Sequence, residues 1–488
     1  MWQGWWELPP TLHDDLRRPT KPYDLKAPIS MHLSTPLPIM EEAQRRDART
    51  YSRSMMLTGS PRSPEGTRLV GLIVDEVISP YKAMQGQLRP SSILKYRAIT
   101  GAFLADLLAA ASVDVWCKLA TNTNAQSGRP GGPQAFKTMR DALGEAELIE
   151  ELPGYIRTFS LFGGKQTKAA RTSFRPTAKL VELAESQGIA LTEWHKHFDM
   201  GRPAAPGATD LLEKRGEKKS KSSEPRRLAV NLTEPMAAKI VADLQRLNEH
   251  LRAPGRIEGI AFSGLRRVFN NGDRPDFNWQ WHGRYYSMPE ADPYERMEGS
   301  AETRKRVIRI DEQEVEEVDI SASHLTILHG LLGMPFDNSR DPYEVYDLAP
   351  GAGSVRDSGT PHGFSGPKVD RERMKAWLLI ALGTSDPAAG GSKHNLARRA
   401  GLGRYPFLAG LPSLGIGPLD LQFHEAEILR LAMEELMIDH KVGFLPVHDA
   451  LIVAKPNIRL AKSALTGAFT RYFRETLGLA AGPEPRLS

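Results

Sequence analysis

Two aspartates in the C-terminal half, Asp319 and Asp449, stand where carboxylates can do chemistry. Val318-Asp319-Ile320 closes an alternating apolar–polar run, Gln313–Ile320, which pairs with Arg306–Ile310 in a predicted hairpin turning at Asp311-Glu312. A helical pattern, Ser321–Leu332, follows at once. An acid at the mouth of a buried strand is desolvated on one side, which is costly unless a cation or donor compensates. The plainer role for Asp319 is a helix N-cap. His448-Asp449 lies between apolar runs in Val442–Val453, a pattern that predicts a tight strand–turn–strand. On paired strands of one sheet the two acids could share two Mg2+ ions, which activate an attacking oxygen and stabilise a leaving pyrophosphate. Between them, Arg371 and Lys375 are four apart on a predicted helix, stacking two cations on one face as a triphosphate needs. An exposed basic helix is the commoner meaning of such a pair.

The 488 residues have globular proportions, 40% hydrophobic and 25% charged, and the length suits about three domains. Cys117 is the sole cysteine, which excludes an internal disulfide framework and multi-thiolate metal sites and fits a reducing compartment. The longest apolar stretch, Gly101–Trp116, is broken by Asp106 and Asp114, and the opening Met-Trp-Gln-Gly-Trp-Trp lacks a signal-peptide pattern. The expectation is a cytoplasmic protein with no membrane contact. A net charge of +5 permits a polyanionic partner without demanding one.

Residues 1–60 read as a loosely ordered arm with one short helix near Met40–Arg53. Residues 61–205 form a mainly helical module. Within it Pro133–Gly144 predicts a helix, Leu148–Glu150 and Tyr155–Phe162 strands, Gly163–Arg175 a basic loop, and Pro176–Gln187 a second helix. Helix, strand, basic loop, strand, helix is similar to a winged helix, with Lys137, Arg140, Lys165 and Lys168 as DNA-contact candidates. A plain helical domain with a solvated basic face fits the same pattern equally. His195, His197 and Asp199 crowd together, and a surface helix end explains them better than a metal site. Residues 206–227 read as a linker: Leu211–Arg227 holds seven Lys/Arg against three Glu, a charge that would suit a phosphate backbone.

Four short segments, in order, resemble the palm and fingers of family A DNA polymerases and the related single-subunit RNA polymerases. They are Gly283-Arg284-Tyr285-Tyr286-Ser287, Asp319-Ile320-Ser321-Ala322-Ser323-His324-Leu325, Arg371-x-x-x-Lys375 and Val447-His448-Asp449. The resemblance covers about Gly255–Gly478. It implies an α+β fold with a right-hand polymerase core over 228–488. A thumb-like helix would occupy 228–254, the palm 255–335 and 420–488, and the fingers 336–419. It further implies Asp319 and Asp449 as Mg2+ (or Mn2+) ligands with the Ile320 carbonyl as a third contact. Arg371, Lys375, Ser321 and His324 would lie around the incoming nucleotide, Arg284 at the minor groove near the primer end, and His448 at the terminal phosphate region.

The departures bear on specificity. The family's ribonucleotide-excluding Glu falls at His324, its aromatic twelve residues after the fingers Arg at Gly383, and the acid after Val-His-Asp at Ala450. Gly351–Pro367 reads as a fingers insertion, and no Asp-x-Glu of a proofreading exonuclease occurs in the first 300 residues. The resemblance therefore implies a primer- and template-dependent DNA polymerase acting in replication or repair, with nucleoside triphosphates and a DNA primer–template as partners and with low fidelity or damage tolerance. An RNA polymerase or primase-like enzyme stays open. So does a plasmid- or phage-type replication protein that binds DNA through its N-terminal half and carries an inactive palm.

Overall fold

A computed structural model describes residues 52–86, 88–122, 126, 128–161, 164–201, 204–219, 223–288, 293–297, 300–344, 369–479 and 482–488. The fold is α+β. In the N-terminal half a four-stranded sheet runs in the order β1 (Ser52–Ser54), β2 (Trp116–Leu119), β5 (Thr172–Pro176), β3 (Ile149–Leu152). Strand β4 (Tyr155–Leu161) pairs with the following Gly164–Ala170 strand, a hairpin between β3 and β5. Helices α1 (Pro64–Ile73), α2 (Pro90–Ala111), α3 (Gly132–Glu145) and α4 (Ala178–Ser186) are the longest of this half among the described residues.

Helix α2 is buried through most of its length because its second half is apolar on every face, and Phe103 meets Phe136 and Phe174 edge-on at 6.3 and 5.5 Å. Asp106 survives there at 1% exposure because it accepts hydrogen bonds from the Met56 and Leu57 N–H groups at 2.9 and 2.8 Å.

Three expectations change in this half. The end of the expected arm is structured: Ser52–Ser54 lies parallel to Trp116–Lys118, and Met55 and Leu57 are buried. Residues 1–51, which hold most of that arm and of its short helix, lie outside the described residues. The expected basic loop Gly163–Arg175 is mostly strand, because hairpin partners rather than hydrophobic alternation fix it. Leu212–Arg215, expected as linker, is strand β6. It pairs parallel with β9 (Leu265–Phe269) and antiparallel with β7 (Arg227–Leu228). Leu211 and Leu212, 2% and 1% exposed, anchor it, and the Lys/Arg residues that dominate its composition sit near a sheet edge.

The C-terminal half has two sheets. One runs β7-β6-β9-β10, with β10 spanning His282–Ser287. The other runs β8 (Ile257–Glu258), β11 (Arg309–Ile310), β12 (Gln313–Asp319), β14 (Ala450–Ala454), β13 (Phe444–Val447). Helix α5 (Pro235–Leu251), the expected thumb-like helix, turns Ile240, Leu244, Leu247 and Leu251 inward. Helix α10 (Pro418–Ile438) packs on β10, on α7 (Ser323–Leu331) and on α11 (Ile458–Arg471). Helix α6 (Ser300–Val307) lies on β12. Helix α8 (Arg371–Thr384), capped by the Asp370 carboxylate accepting from the Arg373 N–H at 2.8 Å, packs against α9 (Asn395–Arg404). The expected insertion Gly351–Pro367 lies outside the described residues. Among those described, no helix is long and apolar enough to cross a membrane.

Candidate active site

Strands β12 and β14 bring the two aspartates together. Their antiparallel register sets Asp319 opposite Ala450, and the Ile320 N–H donates to the Asp449 carbonyl at 3.2 Å. Val447 pairs with Ala450, so His448 and Asp449 form a two-residue turn, as the sequence predicts. His448 adopts φ +54°, a conformation costly for a side-chain-bearing residue, and Ala322 just past β12 adopts φ +53°. Residues 486–488 extend the ladder beyond Asp319: the Ser321 N–H donates to the Arg486 carbonyl at 2.9 Å and the Ser488 N–H to the Asp319 carbonyl at 3.0 Å. This pairing occupies the Asp319 end of β12 in place of a helix N-cap.

The surrounding charges discriminate sharply between three carboxylates. Burial, then the charge of Glu317, pushes Asp319 up to about 6, while Lys375 pulls against them. Burial, then Glu425 and Asp319, raises Asp449 well above the usual carboxylate range. Burial also opposes ionisation of Glu425, but Arg284, then His324 and Ser323, overcome it and hold this acid well below that range. Asp319 and Asp449 are thus two hard oxygen donors crowded by like charge, a donor set that a divalent cation relieves. No third His, Cys, Asp or Glu joins them in a metal-holding group among the described residues. Ile320 follows Asp319 directly at the end of the strand.

Glu425, on the buried face of α10, organises the site floor. It accepts from Arg284 Nε at 2.8 Å and from Ser323 Oγ at 3.0 Å, and His324 Nε2 lies 3.3 Å from its second oxygen. Arg284, expected at DNA, is instead 6% exposed and committed to this carboxylate. A β-bulge explains its aim. Val268 pairs with Arg284 and Phe269 with His282, leaving Gly283 extra at φ +60°. A Cβ there would fall 2.8 Å from Arg267 Nη2 and 3.1 Å from the Phe269 and Phe423 rings, so glycine is the residue this close approach favours. His324, expected beside the nucleotide, likewise faces Glu425 and Arg284.

His448 packs its ring against Tyr286, centroids 6.1 Å apart, and Tyr286 hydrogen-bonds His282, whose other ring nitrogen meets Gln422 Oε1 at 2.6 Å. Burial, then Arg284, pushes His448 down to about 4. Its Nδ1 is buried without a hydrogen-bond partner among the described residues.

Lys375 of α8 acts on Asp319, and both α8 cations lie at Tyr343. Arg371 and Lys375 lie over its ring, at 5.0 and 5.8 Å from the centroid. Burial, then the charges of Asp449 and Asp319, raises the Tyr343 hydroxyl, which places this 7%-exposed ring beside the carboxylate pair. Arg371 also pairs with Asp341 at 2.7 Å, and its side chain remains half exposed.

Sequence reasoning did not single out Tyr343 and did not connect Glu425 with the paired aspartates. A glutamate at a core-facing position of α10, between Leu421 and Ile428, was the available signal for Glu425. Tyr343 offered none, since it stands in an irregular segment. The N-terminal candidates fare less well. Lys137 pairs with Asp141 at 2.9 Å, and Arg140 with Asp141 at 2.8 Å and Glu151 at 3.6 Å, so two carboxylates meet these two cations. Lys165 and Lys168 lie on the Gly164–Ala170 strand, with side chains outside the described residues. Ser63 Oγ meets His197 Nδ1 at 2.9 Å, which accounts for one histidine of the crowded trio. Ser321 joins the site floor through its backbone bond to Arg486. No protein-family model, curated protein or solved structure matches the chain.

Proposed function

We propose that the chain is a template-directed nucleotidyltransferase, a DNA polymerase with a right-hand palm and fingers that resembles family A. One observation carries this reading: two crowded carboxylates stand on paired strands, Asp319 and Asp449, and the charge of Lys375 acts on Asp319 from a helix whose Arg371 and Lys375, four residues apart, share the Tyr343 ring. Asp319 and Asp449 would hold Mg2+, with the Ile320 carbonyl as a further contact. Bound Mg2+ supplies activation of the attacking 3′-hydroxyl and charge neutralisation on the leaving pyrophosphate. Arg371 and Lys375 bind the triphosphate and offset its charge. Arg284 and Glu425 act as positioning residues, fixing the β10–α10 junction beneath the acids.

In this reading the N-terminal half is a winged-helix module, since a helix, a strand, a hairpin and a strand precede α4 in the order that fold uses. With Lys137 and Arg140 neutralised, it grips DNA weakly or holds a partner. Position 383 of α8 is glycine, so α8 carries no aromatic ring there, which supports relaxed base selection.

Extension of a labelled primer–template with Mg2+ and separate dNTP and rNTP pools tests the proposal. Wild type is expected to extend and Asp449→Ala to fail, and the favoured pool decides the sugar. Absent extension in wild type with DNA binding retained would replace the enzyme with a DNA-binding replication protein.

A further inference from the structure

The basic strands β6 and β7 lie beside an aromatic loop. Strands β6 and β7 form a hairpin pinned to the loop 270–281: the Gly272 N–H donates to the Arg215 carbonyl at 2.8 Å, and the Glu217 N–H to Asp273 Oδ1 at 2.7 Å. That loop carries Phe277, Trp279 and Trp281, in ring contact along the row at 5.1 and 6.3 Å from Phe277. Cations already lie over these rings. Lys214 Nζ is 5.8 Å from Phe277, and the exposed Arg274 guanidinium is 4.9 Å from Trp281. Phe277 and Trp281 are only half buried, unlike Trp279 at 2% exposure.

The charges are available to a ligand. Glu213 is taken by Arg215 and Arg266. Lys214, Lys218, Lys219 and Arg226 have no carboxylate within ion-pair distance among the described residues. The surface also adjoins the floor of the aspartate site. Trp281 Nε1 donates to Asp420 at 3.1 Å in the first turn of α10, the helix bearing Glu425. The charge of Arg215 is felt at His282 and Tyr286, and Tyr286 packs on His448.

We infer that the β6–β7 hairpin and the Phe277–Trp281 loop form a docking track for single-stranded nucleic acid, with bases stacking on Phe277 and Trp281 and phosphates meeting Lys214, Lys218, Lys219 and Arg226. Half-exposed rings beside cations such as Lys214 are what a flexible strand needs, since each base has a face to stack and each phosphate needs a charge. Arg274, over Trp281, is already held by Asp276 at 3.2 Å and is not among them. A duplex hides its base faces and gains only from the charges. That the strand is the unpaired template rests on the polymerase reading; the track itself does not.

Binding of a fluorescein-labelled oligothymidylate, followed by anisotropy over a salt series, tests the track in the full chain. The quadruple variant K214Q/K218Q/K219Q/R226Q is expected to bind at least about tenfold more weakly. Its log–log salt slope should be shallower by about 0.7 for each phosphate that the variant no longer neutralises. Because Lys214 packs on the loop, Trp281→Phe provides a second readout, expected to lose much of the tryptophan quenching on binding while the melting temperature holds. Unchanged affinity and slope in the quadruple variant, or equal competition by blunt duplex, would overturn the inference. Asp449→Ala separates the two readings. If it loses extension but binds like wild type, both stand. If wild type never extends while the hairpin variant loses binding, the polymerase reading fails and the track survives.

Discussion

Arg284 and Glu425, 141 residues apart, meet at 2.6 Å with side chains 7% and 1% exposed. This ion pair joins β10 to α10 directly beneath the paired aspartates, and Ser323 and His324 add the start of α7 to it. Both charges are desolvated, so each stabilises the fold only while the other is present. Glu425→Ala leaves a buried guanidinium unpaired and is expected to cost about 3–5 kcal/mol of stability. The double variant Arg284→Met/Glu425→Leu should recover much of that loss. Urea unfolding of the single and double variants measures it, and additive losses would show that the pair is not coupled.

The raised acids give the metal-free protein an unusual pH response. Asp319 sits at about 6 in the folded chain against 3.8 for an ordinary Asp, so the folded state keeps a proton that the unfolded chain has released. Its contribution to stability is therefore present below the ordinary value and lost as pH rises to about 6. Asp449, also raised, adds in the same direction. Glu425, held low, works oppositely, but only below the ordinary carboxylate range. Glu317 and Glu425 press on Asp319 and Lys375 opposes them, while Glu425 and Asp319 press on Asp449 and Arg284 opposes them. Buried His448 and His282, held low, press the other way over the same window in any variant, so the signature is a difference. Without divalent metal the urea midpoint of wild type should decline relative to that of Asp319→Asn as pH rises from about 4 to 6. Mg2+ at neutral pH should raise the wild-type midpoint and leave Asp319→Asn unmoved.

Much of this frame was legible locally. The Val447-His448-Asp449 turn and the Asp319 strand end each announce themselves through alternation broken by a polar residue, and strand period and turn length are local properties. The α8 cations follow from helix spacing alone. What was not legible depends on long-range pairing. Leu212–Arg215 has the composition of a solvated linker and becomes strand because β9 lies alongside. Arg284 looks like a ligand-facing cation until a glutamate from a distant helix is brought to it. Lys137 and Arg140 looked available until Asp141, on their own helix, is seen to take both, a local pairing that the sequence did offer.

Tyr343 should behave as a positioning residue for the two α8 cations. Its ring carries Arg371 and Lys375, and contacts of this kind are worth about 0.5–2 kcal/mol. Tyr343→Ala is expected to raise the KM for the incoming triphosphate about tenfold, equivalent to about 1.4 kcal/mol, with a smaller effect on kcat. Tyr343→Phe keeps the ring and should stay within about twofold of wild type. Steady-state single-nucleotide extension measures both. A kcat loss equal in the two variants would assign the role to the hydroxyl instead of the ring.

The two glycines of the α8–α9 pair should respond in opposite senses to the same methyl group. A Cβ on Gly401 would lie 2.0 Å from Cζ3 of the fully buried Trp377, whose indole N–H is fixed to the Pro387 carbonyl at 3.0 Å. The ring cannot retreat without breaking that bond, so Gly401→Ala is expected to cost about 1–3 kcal/mol through overpacking. Gly383, near the end of α8, has open space at its Cβ. Gly383→Ala there removes backbone freedom from the unfolded chain and adds up to about 1 kcal/mol of helix stability. Amide hydrogen exchange along α8 reads both changes, with faster exchange expected in Gly401→Ala and slower exchange in Gly383→Ala. Matching responses would mean that α8 is held by something other than its contact with α9, and the packing of Trp377 against Gly401 would lose its part in placing Arg371 and Lys375.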